Sequence, residues 1–270
     1  MHVFRQYKLL LPLIICTLIT VVLGITLISM NGEPQEPARE TEETEPHEEV
    51  LTPMPNPIFK TDLSAYEPYM DVPSGSFLTL INKQHVIDGA YAPGTLVSVK
   101  DAKREIELQI NAAMAMEAMF IEMRAAGITN TFVTSGYRSY AYQSGLFNTY
   151  IRDEMAKDPS LTEAEAREKV LRYSAFPGTS EHHTGLAADL MTNGMSELDE
   201  SFADYPVFEW LQENAWKFGF ILRFPADKVD ITGYDYEPWH YRFVGRYDAY
   251  VIHTEDLCLE EYVATFGTGN

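Results

Sequence analysis

An apolar segment near the start of the chain divides it into two parts with different surroundings. Residues 9–30, LLLPLIICTLITVVLGITLISM, are 22 residues without a formal charge. As a helix rising about 1.5 Å per residue, they would span roughly 30 Å, the thickness of the hydrocarbon core of a bilayer. We therefore predict one transmembrane helix, with the remaining residues forming a domain on one side of the membrane.

The charges around this segment predict its orientation. Arg5 and Lys8 precede it, and an acidic run follows it. Because lysine and arginine are enriched on the cytoplasmic side, the N-terminus is predicted to be cytoplasmic and the rest of the chain extracellular. A cleaved signal peptide is the alternative, but the apolar run exceeds the roughly 7–15 residues usual there and no small-residue cleavage site follows it. An uncleaved anchor within residues 1–30 is favoured.

Residues 31–60 have the composition of a linker. Residues 31–50 contain eight glutamates, one arginine and three prolines, and no apolar periodicity that could form a packed core. The whole chain has a formal net charge of −20. Such a charge argues against nucleic-acid binding, and an anionic ligand would need a local basic group to hold it.

Residues 61–270 are predicted to be a single domain of mixed helices and strands. Cys258 is the only cysteine beyond the apolar segment, so this domain has no intrachain disulfide. Residues from about 103 to 126 have apolar side chains at helical spacing, and Gly127 suits the C-terminal cap. We read the methionine stripe of this helix as core packing.

Local signals predict three more helices and several strands. SYAYQSGLFNTYIRDEMAK predicts a second helix, Thr162 and Glu165 have the spacing of a capping box before a third, and Pro206 and Gly219 bound a fourth. TNTFVTS, GFILRF and WHYRFV have the composition of strands. Residues 63–100 are expected to cover the surface without helix. The predicted fold class is α+β, a small, mostly antiparallel sheet flanked by helices and preceded by one transmembrane helix.

The segment SEHHTGLAADL, residues 180–190, concentrates side chains that bind metals. Zinc in enzymes is usually held by three side chains of His, Asp or Glu, with a further carboxylate nearby to accept a proton from water. His182 and Asp189 are seven residues apart. They would share one side of a helix after two turns, or meet if Gly185 bends the chain. Spacing alone leaves both arrangements open.

The segment YEPWHYRFV adds a carboxylate and an imidazole. Strict strand alternation would place Glu237 and His240 on opposite faces. Pro238 restricts Glu237 to extended geometry and interrupts ladder pairing, so Glu237 can turn towards the side that His240 faces. One of the two residues would then be a metal ligand and the other a base.

Three ordered segments together resemble a known family. They are SGYRSYAYQ (135–143), PGTSEHHTGLAADL (177–190) and FGFILRFPADKVDITGYDYEPWHYRFVG (218–245). They look like the VanY-type D-alanyl-D-alanine carboxypeptidases and the similar L,D-carboxypeptidases, zinc enzymes of bacterial cell-wall metabolism. The resemblance covers about residues 76–255. It implies a hedgehog/D,D-peptidase-like fold, one zinc ion per domain and peptidoglycan stem peptides as substrates.

The resemblance also implies roles for individual residues. The zinc ligands would be His182, Asp189 and His240, and the catalytic base would be Glu237. Arg138 would hold the substrate carboxylate or the developing oxyanion, with Gln143 and Ser180 lining the same pocket. His183 stands where the family usually has glutamine, and it is expected at the pocket rim or in solvent. Arg223 and Arg242 are lesser candidates for a cationic anchor.

The implied function is that of a membrane-anchored, extracellular D-alanyl-D-alanine carboxypeptidase. Glu237 would accept a proton from water activated by zinc and return it to the leaving D-alanine. The shared motifs leave open an L,D-carboxypeptidase that acts on tetrapeptide stems. An alternative of another class is a non-catalytic peptidoglycan-binding module. No oligomer is implied.

Overall fold

The computed structural model describes residues 53–267, which form eight α-helices and six β-strands. The helices are α1 (Glu67–Met70), α2 (Ile110–Ala125), α3 (Tyr140–Lys157), α4 (Glu163–Val170), α5 (Pro206–Asn214), α6 (Val229–Thr232), α7 (Arg246–Thr254) and α8 (Leu259–Phe266). The strands are β1 (Leu96–Ser98), β2 (Glu107–Gln109), β3 (Thr131–Ser135), β4 (Ala187–Thr192), β5 (Phe220–Leu222) and β6 (His240–Phe243). Short 3₁₀ segments lie at Glu181–Thr184, Glu200–Asp204, Ala215–Phe218 and Ala226–Lys228.

The predicted membrane anchor and most of the predicted linker lie outside the described residues. Between residues 53 and 267, no helix is both long enough and apolar enough to cross a bilayer. The last residues assigned to the linker contact the domain. The ring of Phe59 lies 5.3 Å from that of Phe218, and the backbone N–H groups of Lys60 and Thr61 donate to the Glu122 carboxylate. The packed domain therefore begins before residue 61.

The strands form one four-stranded sheet and one separate pair. The larger sheet is antiparallel in the order β3-β4-β6-β5, and β1 pairs with β2. The register places Asp189 of β4 directly opposite His240 of β6. On its other side Asp189 is opposite Ser135 of β3, after an irregularity between Val133 and Ser135. The predicted α+β class, with a small antiparallel sheet and flanking helices, is confirmed.

The two faces of this sheet have different surroundings. Side chains alternate along a strand, so Leu190 and Tyr241 point to the face that joins α2 in the main buried cluster. Asp189, His240 and Arg242 occupy the alternate positions and lie on the opposite face. Because one face of the sheet packs against α2, the polar side chains at the alternate positions are fixed on the opposite face.

Helix α2 begins later than the helical spacing predicts. Residues 107–109 form β2, in which Leu108 is opposite Val97 of β1. The prediction of helix from residue 103 is wrong before Ile110, because pairing with the preceding strand β1 outweighs local helical spacing. At the other end, Gly127 has a φ of +89°, as its predicted capping role requires. The buried methionines of α2, such as Met119, confirm the core interpretation.

The predicted starts of the other helices are confirmed. The side chain of Thr162 accepts from the Glu165 N–H, and the Glu165 carboxylate accepts from the Thr162 N–H at 2.8 Å, which completes the capping box of α4. Pro206 is the first residue of α5. A 3₁₀ turn continues α5 to Gly219, which has a φ of +83°. Between residues 63 and 100, the four-residue α1 is the only departure from the predicted absence of helix within that described segment.

Candidate active site

His182, Asp189 and His240 lie together on the polar face of the sheet. Asp189 and His240 are cross-strand neighbours, so their side chains emerge on the same face. His182 belongs to a 3₁₀ turn that ends at Gly185, whose φ of +68° bends the chain into β4. The bend, not a two-turn helix, brings His182 to Asp189. All three are buried, and one ligand-type atom from each lies within 4.8 Å of the others.

The hydrogen bonds of His182 fix which ring nitrogen can bind a metal. Its Nδ1 is 2.7 Å from the carbonyl oxygen of Gly136, so this nitrogen carries the proton and donates it. The free lone pair is therefore on Nε2, which lies 3.3 Å from Asp189 Oδ2. Burial and then the charge of Arg138 lower the pKa of His182 to about 4. At neutral pH the imidazole is in the neutral form that binds metals.

His240 is surrounded by carboxylates. Its Nδ1 is 3.2 Å from Asp189 Oδ1 and 3.3 Å from Glu237 Oε2. Burial lowers the pKa of His240, but the interactions with Asp189, Glu181 and Glu237 outweigh it and raise the pKa well above the usual value. A positive charge, whether a proton or a metal ion, is therefore strongly favoured at this position.

The three side chains fit a zinc ion. Two imidazoles and one carboxylate are a donor set of catalytic zinc sites, which keep a further position for water or substrate. Asp189 Oδ1 is buried and has no hydrogen-bond partner among the described residues. A cation bound beside this oxygen and the neighbouring His240 Nδ1 would satisfy it.

Glu237 enters the site from a turn before β6. The His240 N–H donates to the Glu237 carbonyl oxygen at 3.1 Å, with Pro238 as the second residue of the turn, a position that proline favours. The turn places Glu237 and His240 on the same side despite their spacing of three. Burial raises the pKa of Glu237, and His240 only partly offsets this effect. A raised pKa makes the carboxylate a stronger base.

Arg138 lies between the candidate ligands and the cleft. Its Nη2 donates to Asp189 Oδ2 at 2.7 Å, and its Nε donates to Ser135 Oγ at 2.9 Å. Its side chain is 18% exposed. Gln143, predicted to line the pocket, is fully buried instead. The Gln143 amide donates to the Ala175 carbonyl oxygen at 2.8 Å, and its Oε1 lies 3.4 Å from Arg138 Nη1. Gln143 therefore contacts the arginine and does not line the cleft.

These groups open into a cleft of about 530 Å³. Ser180 lines it, as predicted, together with Arg138, the candidate ligands and Glu237. Other lining residues are Phe224, Tyr234, Trp239, Leu198, Glu197, Tyr150, Asp153, Glu154, Lys157 and Tyr173. The lining of the cleft therefore offers both aromatic and charged side chains for contact with a peptide.

The prediction that His183 lies at the rim or in solvent is wrong. The side chain is buried, and both ring nitrogens bond to backbone groups, one five residues earlier in the same segment and one in the loop after β3. Nε2 accepts from the Gly178 N–H at 3.1 Å, and Nδ1 donates to the Arg138 carbonyl oxygen at 2.7 Å. The ring also stacks on Tyr140 at 5.9 Å. His183 bridges two loops beside the cleft.

Arg223 and Arg242 are not anchors in the cleft. Both are fully buried and donate to the Glu181 carboxylate. Burial raises the pKa of Glu181, but the two arginines outweigh burial and hold that pKa far below its usual range. This cluster was not predicted from the sequence. Two features of the sequence could have indicated it. Arg223 and Arg242 lie on two predicted strands, and Glu181 is next to the candidate ligand His182.

Comparison with known proteins places the chain among cell-wall peptidases. The VanY family model, described as D-alanyl-D-alanine carboxypeptidase, matches residues 105–246. The YodJ protein of Bacillus subtilis is 36% identical over 266 residues, which cover 90% of this chain and 92% of YodJ. A D-alanyl-D-alanine carboxypeptidase of Enterococcus faecalis is 36% identical over 188 residues, which cover 70% of this chain and 66% of that enzyme.

Solved structures give the same assignment. A zinc(II) complex of a variant of the vancomycin-resistance D,D-pentapeptidase VanY is 36% identical, with a TM-score of 0.59 over 69% of this chain and 98% of that one. The L,D-carboxypeptidase LdcB is 38% identical, with a TM-score of 0.59 over 68% of this chain and 84% of that one. The region matched by the family model contains every candidate site residue. The chain belongs to the VanY family of D-alanyl-D-alanine carboxypeptidases.

Proposed function

We propose that the protein is a membrane-anchored, extracellular zinc carboxypeptidase that removes the C-terminal D-alanine from peptidoglycan stem peptides. One observation carries the proposal. In a chain of the VanY family, two imidazoles and a carboxylate converge, and the Glu237 carboxylate, whose pKa burial raises, lies 3.3 Å from one of the imidazoles.

Glu237 is the proposed general base. Zinc held by His182, Asp189 and His240 would supply a Lewis acid for the attack of water on the scissile carbonyl group. Glu237 accepts the proton of the attacking water as the new C–O bond forms. It then gives this proton to the amine of the leaving D-alanine as the C–N bond breaks. A buried carboxylate with a raised pKa suits both steps.

Arg138 is the proposed anchor for the terminal carboxylate of the substrate. Arginine has five N–H donors in a planar fork, which can bind a carboxylate through two of them. Ser135 and Asp189 take two of these donors, and the contact with Gln143 at 3.4 Å is long. Donors therefore remain for a ligand in the cleft. In a chain with a net charge of −20, this residue supplies the local cation that an anionic peptide needs.

The proposed location rests on the sequence of the first sixty residues. The uncharged segment 9–30 has the length of a membrane span, and Arg5 and Lys8 precede it. The acidic residues that follow would separate the domain from the membrane. An extracellular domain would have direct access to the cell wall.

An L,D-carboxypeptidase is a second candidate. The observation that favours it is the similarity to LdcB, at 38% identity and a TM-score equal to that of VanY. The two candidates share the chemistry and differ in the configuration of the residue that precedes the scissile bond.

The test is release of D-alanine by the purified full-length protein. A pentapeptide stem ending in D-Ala-D-Ala and a tetrapeptide stem with an L,D bond are incubated with the zinc-loaded protein and with the chelated protein. We expect release that chelation abolishes and added zinc restores. The stem with the higher kcat/KM identifies the D,D or L,D specificity. Stem binding without cleavage of either peptide, at one bound zinc per chain, would instead indicate a non-catalytic wall-binding module.

A further inference from the structure

Glu181 is bonded through only one of its two carboxylate oxygens. Oε1 accepts from Arg223 Nε at 2.8 Å and from Arg242 Nη1 at 2.7 Å. Oε2 is buried and has no hydrogen-bond partner in the described part of the chain. It faces His240 Nε2 at 3.8 Å, and this nitrogen is also buried and without a hydrogen-bond partner there. Glu181 Oε2, an acceptor without a donor, thus faces His240 Nε2, a ring nitrogen without a hydrogen-bond partner, next to the candidate metal centre.

We propose that Glu181 is a positioning residue for the metal ligand His240. Its Oε2 accepts a hydrogen bond from His240 Nε2–H when Nδ1 binds the metal. This inference rests on the proposed zinc site. A neutral imidazole that uses Nδ1 as a ligand carries its proton on Nε2. A buried N–H of this kind destabilises the protein when it has no acceptor. Metal-bound histidines usually donate this second N–H to a carboxylate or carbonyl group.

The surroundings leave Glu181 as the acceptor for this N–H. The other carboxylates near His240, those of Asp189 and Glu237, lie on the Nδ1 side of the ring. The present distance of 3.8 Å is too long for a hydrogen bond, and a movement of about 1 Å closes it. No other group in the described part of the chain holds Oε2 or Nε2, so a small adjustment of this size is enough.

The two arginines are what fix Glu181 in place. Arg223 also binds both oxygens of Glu260 on α8, at 2.8 and 2.6 Å. Arg242 also donates to the carbonyl oxygens of Phe77 and Thr79, at 2.8 and 3.0 Å. Glu181 is thereby tied to β6, to the residue that follows β5, to α8 and to the segment before β1. With Oε1 committed to both guanidinium groups, Oε2 is aimed at the ligand.

The experiment compares two substitutions in this network, made in the full-length protein. Glu181→Gln keeps the size of the side chain, but one amide cannot accept from both arginines and from His240. Glu260→Gln is the matched control, since it weakens the same arginine cluster without contacting a candidate ligand. Zinc affinity is measured by competition with a chromophoric chelator. Cobalt(II) substitution reports the ligand geometry through its visible absorption, and kcat and KM are measured on the better stem.

We expect Glu181→Gln to lower zinc affinity by about 10- to 100-fold, to change the cobalt spectrum and to lower kcat with little change in KM. Glu260→Gln should keep the wild-type affinity and spectrum even if it lowers the melting temperature. Wild-type affinity and spectrum in folded Glu181→Gln, or equal losses in both variants, would overturn the inference.

A second variant covers a failure of Glu181→Gln to fold. Glu181→Asp keeps the charge that pairs with the arginines and withdraws the carboxylate from His240 by one methylene. It should fold and still show weakened zinc binding and an altered cobalt spectrum, and wild-type values would again overturn the inference. Absence of zinc binding in the wild-type protein is a different result, because it would contradict the proposed metal site itself.

Discussion

Glu237 and His240 are held side by side in one turn that lines the cleft, and their proposed roles in proton transfer and metal binding can be separated experimentally. Glu237→Gln preserves the shape of the side chain and removes the base. We expect kcat to fall by about 10²- to 10⁴-fold, while zinc remains bound at one equivalent because Glu237 is not a proposed ligand. The measurement is D-alanine release together with the zinc content of the same sample.

The matched control is Glu168→Gln, which makes the same chemical change at an exposed position on α4. It should leave kcat unchanged. Near wild-type turnover in zinc-loaded Glu237→Gln would remove Glu237 from the reaction. Loss of zinc from that variant would mean that Glu237 is a ligand instead.

His183 offers a second test at the scale of one residue. Its ring accepts from the Gly178 N–H and donates to the Arg138 carbonyl oxygen, so it holds the loop that carries the proposed substrate anchor. Glutamine also has one acceptor and donors, whereas alanine has neither. We expect His183→Ala to raise KM for the stem peptide about tenfold, and His183→Gln to stay near the wild-type value. Equal KM values in all three proteins would show that the bridge does not affect substrate binding.

The sequence identified the candidate residues better than their contacts. The resemblance named His182, Asp189, His240 and Glu237, and the structure brings all four together. Whether His182 reached Asp189 along a helix or through a bend was open, because that depends on the conformation of Gly185. The placement of His183 was predicted wrongly because it is held by the Gly178 N–H and by the Arg138 carbonyl of another loop, and such loop contacts leave no periodic pattern in the sequence.

At the scale of elements, α4 depends on a capping box that can be tested directly. Thr162→Ala removes the side-chain acceptor for the Glu165 N–H. We expect a loss of about 1 kcal/mol in the free energy of unfolding, measured by urea denaturation. Glu168→Gln on the same helix should change it by no more than a few tenths of a kcal/mol. An unchanged free energy in Thr162→Ala would mean that α4 frays at its start.

Helices α3 and α4 are also joined by an ion pair with a defined pH dependence. Glu154 of α3 is 2.5 Å from Lys169 of α4 and 3.1 Å from Lys157. Hydrogen bonds from Lys169 and Lys157 lower the pKa of Glu154. A carboxylate whose pKa is lowered by folding stabilises the protein above its unfolded pKa of about 4.3, and this contribution is lost as pH falls through the folded pKa.

We therefore expect Glu154→Gln to destabilise the protein by up to about 1 kcal/mol at pH 7, because both lysines are largely exposed. The difference from wild type should shrink towards zero as the pH falls through the lowered pKa of Glu154 in the folded protein. Urea denaturation at several pH values measures it. A difference that stays constant with pH would show that packing, not charge, is responsible.

Helix boundaries with local signals could be predicted, and the pairing of β2 with β1 could not. The capping box at Thr162 and the glycine after α2 each depend on residues within one turn of the helix end, so the sequence alone predicts them. Residues 107–109 have helical spacing but pair with β1, so their conformation depends on a segment that no local pattern identifies. The short lengths of β1 and β2, three residues each, explain why no strand pattern was recognised there.

At the scale of the whole molecule, the candidate site is assembled from distant parts of the described chain. Arg138 follows β3, Asp189 and His240 lie on neighbouring strands, and the Glu181 cluster extends from Phe77 to Glu260. The domain achieves this without a disulfide, since Cys258 is buried and free. Composition and the family resemblance predicted one zinc-binding domain. The cluster of Arg223 and Arg242 around Glu181 could be recognised only from the pairing of β5 with β6 in the structure.

The most direct test of the central claim is a zinc titration of the metal-free protein with D-alanine release as the readout. We predict that activity on a stem peptide rises in proportion to bound zinc and reaches a plateau at one zinc per chain. Asp189→Ala should show neither tight binding nor release. Full activity in the metal-free protein, or one tightly bound zinc without release of D-alanine from either stem, would contradict the account.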